Sequence, residues 1–394
     1  MRSNVRHVAG LAAGLMLVAS VAAAQAPNIA VQGRIQLQYR YSSGDSTANY
    51  SKTGVNNIFE IRRLRIQTNV RFGDNINLVI QPSFEMGNLR MRDAFVRVGL
   101  TPNVAVVAGQ EKSPFQRYEL NSSNNLLSIE RGLRVLKLSG KEALNDVLVQ
   151  NGYASHDLGA GLEVESSDHR FFAKGVVQGG SRESSTDVNN AKSFFARATG
   201  TALMNKDNQP QLQLGASFGS RDRAICQTVV APSGCSAYYA DSSKRTTAFG
   251  LDAEWGGYRP GLHVIADFAT GDNVPVALRI NSGTSNRNSG NLRNSADSNV
   301  VTFRGFHVIG AYRILTTGSD TRLVKIVEPT VRFDYTDPNT SASNDQGILI
   351  TPVLNLYFAN SVQLRAGIDL YFYKDATGAS QSAREVKFSW QANF

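Results

Sequence analysis

Apolar and polar side chains alternate along this chain with a period of two, over runs too long for an ordinary soluble sheet. From Ile29 to Tyr41 the odd positions carry Ile29, Val31, Gly33, Ile35, Leu37, Tyr39 and Tyr41, while Gln32, Arg34, Gln36, Gln38 and Arg40 fill even ones. That period puts successive side chains on opposite faces of a strand. Soluble strands usually stop after about five or six residues, whereas a tilted strand crossing a bilayer needs about 9–11. The pattern returns in Leu64-Ile66-Thr68-Val70-Phe72, interleaved with Arg63, Arg65, Gln67, Asn69 and Arg71, and again in Ile76-Leu78-Ile80-Pro82-Phe84. Later stripes are Leu158-Ala160-Leu162-Val164, Leu212-Leu214-Ala216-Phe218, Leu262-Val264-Ala266-Phe268, Val327-Pro329-Val331-Phe333-Tyr335 and Val362-Leu364-Ala366-Ile368-Leu370-Phe372. The alternation breaks over Val301 to Arg313 and over Arg134 to Tyr153, leaving strand parity open there.

Connections between the stripes alternate in length. Gly73-Asp74, Thr101 to Asn103, Ser166 to His169, Met204 to Pro210, Gly256 to Pro260, Thr316 to Asp320 and Ala359 to Ser361 are short. Ser42 to Asn57, Gly180 to Ala191, Gly219 to Arg245, Asp272 to Asn299 and Thr336 to Gln346 are longer and rich in Ser, Asn, Asp and Gly. Short turns on one side and long loops on the other are the signature of an outer-membrane barrel. The count of these segments predicts an all-β, 16-stranded antiparallel transmembrane β-barrel. A barrel of ~16–18 strands is too wide for side chains to fill and keeps an aqueous lumen.

The ends of the chain set its destination. Arg2, Arg6 and His7 precede an apolar segment, Val8 to Ala19, and an Ala-x-Ala pattern ends at Ala24. These features predict a cleaved signal peptide at residues 1–24 and a barrel domain at 25–394, exported to the outer membrane of a Gram-negative bacterium. Loss of Arg2 and Arg6 lowers the formal charge from +9 to +7. At the other end Val386, Phe388, Trp390, Ala392 and Phe394 alternate with polar residues and the sequence stops on an aromatic, which looks like a C-terminal assembly signal carried by Phe388, Trp390 and Phe394. Outer-membrane lipid, lipopolysaccharide and the barrel-assembly machinery are the expected partners. Tyr39, Tyr41, Phe72, Phe84, Tyr335 and Phe372 join Trp390 and Phe394 as candidates for the interfacial girdles.

Composition then excludes several classes. Mean hydropathy is −0.23 and no long uncharged apolar helix follows the N-terminus, so a helical membrane protein is ruled out. Enzyme chemistry is thin: His156, His169, His263 and His307 show no metal-ligand spacing, and there is no Gly-x-Ser-x-Gly elbow, so no cofactor, metal or catalytic residue is assigned. The basic charge comes without nucleic-acid-binding modules. Cys226 and Cys235 share one external loop in an oxidising compartment, which favours a local disulfide over a reactive thiol.

The basic face carries the functional signal. Strand parity directs Arg34, Arg40, Arg63, Arg65, Arg71 and Arg365 into the lumen, joined by Arg97, Lys174, Arg197 and Arg332 and opposed by Glu85, Asp93, Glu163, Glu328, Asp334 and Asp369. Cationic side chains along a water-filled channel attract anions and repel cations. The opposing reading balances Arg against carboxylate and leaves a general porin that discriminates by size. A plugged adhesion barrel and a rim-located membrane enzyme are weaker alternatives.

One set of segments resembles a family. Ile61-Arg62-Arg63-Leu64-Arg65, Asp93-Ala94-Phe95-Val96-Arg97, Gly109-Gln110-Glu111-Lys112-Ser113-Pro114-Phe115 and Ile129-Glu130-Arg131-Gly132 are similar to the phosphate-selective porin O and P family, with fainter echoes at Asp157-Leu158-Gly159, Gly310 to Thr316 and Glu328 to Tyr335. The resemblance implies a homotrimeric diffusion channel for small hydrophilic solutes, anions such as phosphate among them. It implies a third external loop, about Ser113 to Arg134, folded inward as the constriction, with Lys112, Arg117, Glu119, Arg131 and Arg134 as its charged residues. Arg34, Arg63, Arg65 and Asp93 match the family's lumen positions in kind, but no Lys lies between Ser113 and Arg134 where the family carries lysines.

Overall fold

The computed structural model describes residues 26–44, 57–85, 87–133, 142–180, 183, 187–230, 234–275, 292, 300–316, 323–359, 361–374 and 377–394. The expected leader at 1–24 and Arg134 lie outside these residues. In chain order the strands are β1 (Asn28–Gly44), β2 (Asn57–Phe72), β3 (Ile76–Glu85), β4 (Asn88–Thr101), β5 (Val104–Lys112), β6 (His156–Glu165), β7 (Phe171–Gln178) and β8 (Ser193–Met204). They continue as β9 (Pro210–Val230), β10 (Gly234–Trp255), β11 (Gly261–Asn273), β12 (Val301–Leu315), β13 (Ile326–Asp337), β14 (Gly347–Ala359), β15 (Val362–Lys374) and β16 (Ser380–Asn393). Each strand pairs with its sequence neighbours and β1 pairs with β16, so the 16 strands close an antiparallel barrel. Two short helices, α1 (Arg117–Leu120) and α2 (Leu144–Gln150), interrupt the connection from β5 to β6.

The alternation read from the sequence sorts the wall as lipid and water require. On β1, Ile29, Val31, Leu37 and Tyr41 are exposed outward, while Arg34, Gln36, Gln38 and Arg40 are buried inward. Leu158, Leu162, Leu214, Leu262, Val331, Phe333 and Phe372 occupy the outer face in the same way. Closure is tight at the chain end. Gly33 N–H donates to Phe394 O at 2.6 Å and Phe394 N–H returns to Gly33 O at 2.9 Å. A Cβ on Gly33 would run into the Phe394 ring, so glycine makes room for the terminal aromatic.

Three places depart from the sequence reading. The supposed long loop of residues 219–245 is mostly strand: β9 and β10 run on as a hairpin beyond the barrel body, cross-linked by Cys226–Cys235 with a Cα–Cα distance of 5.8 Å. Residues 219–226 of β9 are buried and include Arg221, Asp222 and Arg223, so no alternating apolar stripe marks the stretch. Residues 144–150 depart from the alternation because α2 lies there. On β12 the inward positions Phe303, Ile309 and Ala311 are apolar because residues of the β5–β6 connection pack on them.

Two of the bulges redirect charged side chains. Gln36 pairs with Arg63 and Leu37 with Ile61, which leaves Arg62 as an extra residue on β2. Gln81 pairs with Asp93 and Pro82 with Met91, which leaves Arg92 extra on β4. An extra residue lets two consecutive side chains face one way. Gly33→Val should crowd Phe394 out of the seam and destabilise closure by about 1–3 kcal/mol, read as a smaller heat-resistant folded fraction on electrophoresis; an unchanged fraction would show that the seam does not need this contact.

Candidate conduction pathway

The segment after β5 is bound to the polar face of the wall. Tyr118, Leu126 and Leu127 form one apolar cluster with Ile265 of β11 and Ile309 and Ala311 of β12. Leu144, Val147 and Leu148 of α2 pack with Val176, Phe195, Ala248, Ala269 and Phe303. Polar contacts supply the register. The Asp267 carboxylate accepts the backbone N–H groups of Arg117 and Tyr118, each at 3.2 Å. Asp334 accepts that of Leu144 at 3.1 Å, and Asn355 donates to Leu127 O at 3.0 Å. Asn124 is drawn to the β1, β15 and β16 wall: its Oδ1 accepts from Arg34, and its backbone carbonyl from Arg365 at 3.1 Å and Gln363 at 3.3 Å.

The strongest anchor is a clasp on Glu130. Arg62 donates through Nε at 2.6 Å and through its terminal nitrogen at 2.9 Å to the two carboxylate oxygens, and Arg63 adds a bond at 2.9 Å. All three side chains are buried. Strict alternation would point Arg62 at lipid; the β2 bulge turns it inward beside Arg63. Burial alone would push the Glu130 carboxyl up, but the Arg62 and Arg63 guanidiniums outweigh it and hold it well below the ordinary carboxylate range. A carboxyl so depressed contributes its full stabilisation above about pH 4.5 and loses it only as the pH falls through the lowered value.

The segment packs on β7, β8 and β10–β12 and is anchored at β1 and β2, and the open space left beside it lies along β1–β8. A cavity of about 440 Å³ is lined there by cationic Arg34, Arg65, Lys112, Arg117, Lys174 and Arg197 and by acidic Asp93, Glu111 and Glu163, with Ser122 and Ser123 on the facing segment. Six cations and three carboxylates line the space, a basic excess at the lining surface that Glu85, Glu254 and Asp252 offset from behind through Arg65, Arg117 and Arg197.

Residues 29–225 match the model of the phosphate-selective porin O and P family. The chain belongs to that family. Solved barrels share the fold at low identity. An anion-selective porin from Comamonas acidovorans superposes with a TM-score of 0.57 at 9% identity, covering 94% of this chain and 100% of that one. OmpT of Vibrio cholerae gives 0.54 at 11% identity, with coverage of 94% and 99%. OmpF of Salmonella typhi gives 0.53 at 9% identity, with coverage of 92% and 97%. No protein of curated function matches the sequence. The family and the closed barrel make this an outer-membrane porin channel.

In this porin the lumen cations picked from strand parity are mostly paired. Arg40 lies 3.3 Å from Glu385 and 3.6 Å from Glu60. Arg65 pairs with Glu85, Arg97 with Glu163 at 2.7 Å, and Lys174 with Glu111 and with Glu163 at 3.0 Å. Arg197 holds Asp252 and Arg332 holds Asp334. Arg34 and Arg365 have no carboxylate within ion-pair distance among the described residues; Arg365 donates to Gln363 at 2.7 Å. Arg71 stands apart, exposed at the short-turn end beside a cavity of about 530 Å³ lined by Asn28, Gln32, Gln67 and Asn69.

Of the charged residues assigned to the constriction, Lys112, Glu119 and Arg131 come together, and Arg117 turns to β10. Lys112 ends β5 rather than lying in the loop, and its ammonium donates to Glu119 O. Arg117 pairs with Glu254, and Arg131 lies 3.4 Å from Glu119 and donates to Tyr118 O at 3.3 Å. Asp93 sits 3.4 Å from His156, and His169, His263 and His307 also pair with carboxylates. Phe388, Trp390 and Phe394 are exposed on the outer face.

Parity missed Arg62 and Arg92. The signal was present as an adjacent pair, Arg62-Arg63, and as Arg92-Asp93, each too polar for a residue facing lipid. Glu130→Gln should weaken the seating of the segment by about 3 kcal/mol, because it leaves two buried guanidiniums without their counter-charge. The expected readout is larger, noisier single-channel conductance in planar bilayers. Wild-type protein taken from pH 7 to pH 5 should keep its quiet conductance, since Glu130 stays ionised across that window; noise rising in wild type over the same range would remove the clasp from the account.

Proposed function

We propose that this porin is a passive diffusion channel for small hydrophilic solutes with a mild preference for anions, phosphate and carboxylates among them. The observation that carries the reading is the basic excess in the space along β1–β8, with Arg34 on its wall free of any carboxylate partner among the described residues. Beyond its bond to Asn124, that guanidinium keeps N–H groups able to donate to a passing oxyanion. Conduction also requires weak binding at several positions, so that solutes leave as readily as they arrive. Salt-bridged pairs such as Arg97–Glu163 and Arg197–Asp252 temper the field and keep the preference modest.

In this reading residues 113–133 narrow the lumen, and the solute passes between Ser122 and Ser123 on one side and the β1–β8 wall on the other. The absence of Lys between Ser113 and Arg134, together with a Lys112 already engaged by Glu119, argues for anion preference over strict phosphate selectivity. The Comamonas acidovorans barrel, described as anion-selective, supports the same direction. We also place the mature chain in a homotrimer released from its leader after export.

Arg34→Gln should lower the chloride-over-potassium permeability ratio roughly fivefold, the effect of about 1 kcal/mol from one charge ~4 Å from a hydrated ion. The measurement is the reversal potential in a KCl gradient, with Arg34→Lys as the charge-retaining control. An unchanged ratio in Arg34→Gln would favour the general-porin reading, in which paired charges cancel and size alone discriminates.

A further inference from the structure

Below the facing pair Arg34 and Arg65, the lumen side of β1 and β2 turns from charge to carboxamide. In register, Gln32 pairs with Gln67, Ala30 with Asn69, and Asn28 with Arg71 at the short-turn end. The small Ala30 between the longer Asn28 and Gln32 leaves a hollow of about 530 Å³, within the range of small-molecule sites. The next strand holds two of the amides in place: Gln81 Nε2 donates to Gln67 Oε1 at 2.5 Å, and Gln67 Nε2 donates to Asn69 Oδ1 at 3.0 Å.

Two features set this hollow apart from the rest of the lumen. No carboxylate is among its described lining residues, and Arg71 has no ion pair among the described residues, whereas Arg97 and Arg197 are held by acids. The side chains of Asn28 and Gln32 are exposed to the lumen and make no hydrogen bond among the described residues. Arg71 lies six residues below Arg65 on β2, about 20 Å along the strand, so the hollow is separate from the narrows above it. Free carboxamides offer N–H donors and C=O acceptors side by side. A hydroxyl uses both, because it donates and accepts; an alkyl chain uses neither.

We propose that this hollow is an exit site for small organic anions that carry hydroxyl groups, sugar acids and other hydroxycarboxylates, with the anionic group on Arg71 and the hydroxyls on Asn28, Gln32 and Asn69. The inference rests on the reading of the chain as an anion-preferring channel and names the solute class that channel favours. Arg71 is the one charge among the described lining residues, so it draws an anion in without clamping it between several guanidiniums. The amide bonds then exchange for water one at a time as the solute leaves, which keeps the binding weak enough for release. A cation meets Arg71 with no acid on the lining to offset it.

The test reads interruptions of the single-channel chloride current of the full-length protein in planar bilayers, caused by gluconate or by hexanoate, two carboxylates of equal carbon number that differ in their hydroxyls. In wild type the gluconate interruptions should last about tenfold longer, the effect of two neutral hydrogen bonds. The double variant Asn28→Leu, Gln32→Met removes amides that bond to nothing else and should shorten gluconate interruptions to those of hexanoate. Arg71→Gln should shorten both. Heat-dependent electrophoretic mobility confirms that each variant is folded. The wild-type reversal potential in a KCl gradient, taken in the same bilayers, keeps the two readings apart: a chloride preference with equal interruptions by the two acids would overturn the exit site and leave the channel reading standing. Gluconate interruptions unchanged in the Asn28, Gln32 double variant would also overturn it, because the hydroxyls would then be held elsewhere in the lumen.

Discussion

Hydrocarbon outside and water or packed protein inside leave each wall residue only two directions, and a regular strand assigns them in strict turn. Two neighbouring charges therefore cannot both avoid lipid unless the strand gains a residue. The bulges at Arg62 on β2 and Arg92 on β4 supply that extra residue. The first lets Arg62 and Arg63 close together on Glu130, and much of the lumen's arrangement follows from that grip.

Once Glu130 is fixed on β2, the rest of the segment spans to β11 and β12 and touches β1, β7 and β8 as well. The Asp267 carboxylate receives the start of α1, Tyr118 and Leu127 bury against β11 and β12, and Asn124 reaches Arg34 and Arg365. The open space is consequently off-centre and bounded by β1–β8. Carboxylates do two jobs in this barrel: Glu130 of the segment holds guanidiniums of the wall and Asp267 and Asp334 of the wall hold backbone N–H groups of the segment, while Glu85, Glu163 and Asp252 offset cations of the wall. The second group explains why so many arginines leave only a modest basic excess.

Much of the architecture was legible in the sequence because lipid enforces it. The 16 strands, the short turns and the lumen positions of Arg34, Arg40, Arg63, Arg65 and Arg365 follow from period two alone. What period two could not supply lay where its cause was missing. The hairpin of β9 and β10 buries Arg221, Asp222 and Arg223, so no alternating apolar stripe marks it and it resembles a loop. On β12 the lumen side is apolar at Ile309 and Ala311 because protein, not water, covers it. Partners of the lumen cations were hidden for another reason. Pairs such as Arg62 with Glu130 or Arg197 with Asp252 join residues far apart in the chain, and register and bulges decide them.

The claim that the aqueous path runs along β1–β8 while the segment covers the lumen face of β11 and β12 is tested most directly by thiol accessibility. Both native cysteines are bonded to each other, so a single introduced cysteine reports alone. Thr199→Cys, on the open side, should react with a water-soluble anionic thiol reagent and reduce single-channel conductance. Ile309→Cys, buried under Tyr118 and Leu127, should remain unreactive with conductance unchanged. Rapid modification and block at position 309, with position 199 protected, would contradict the account.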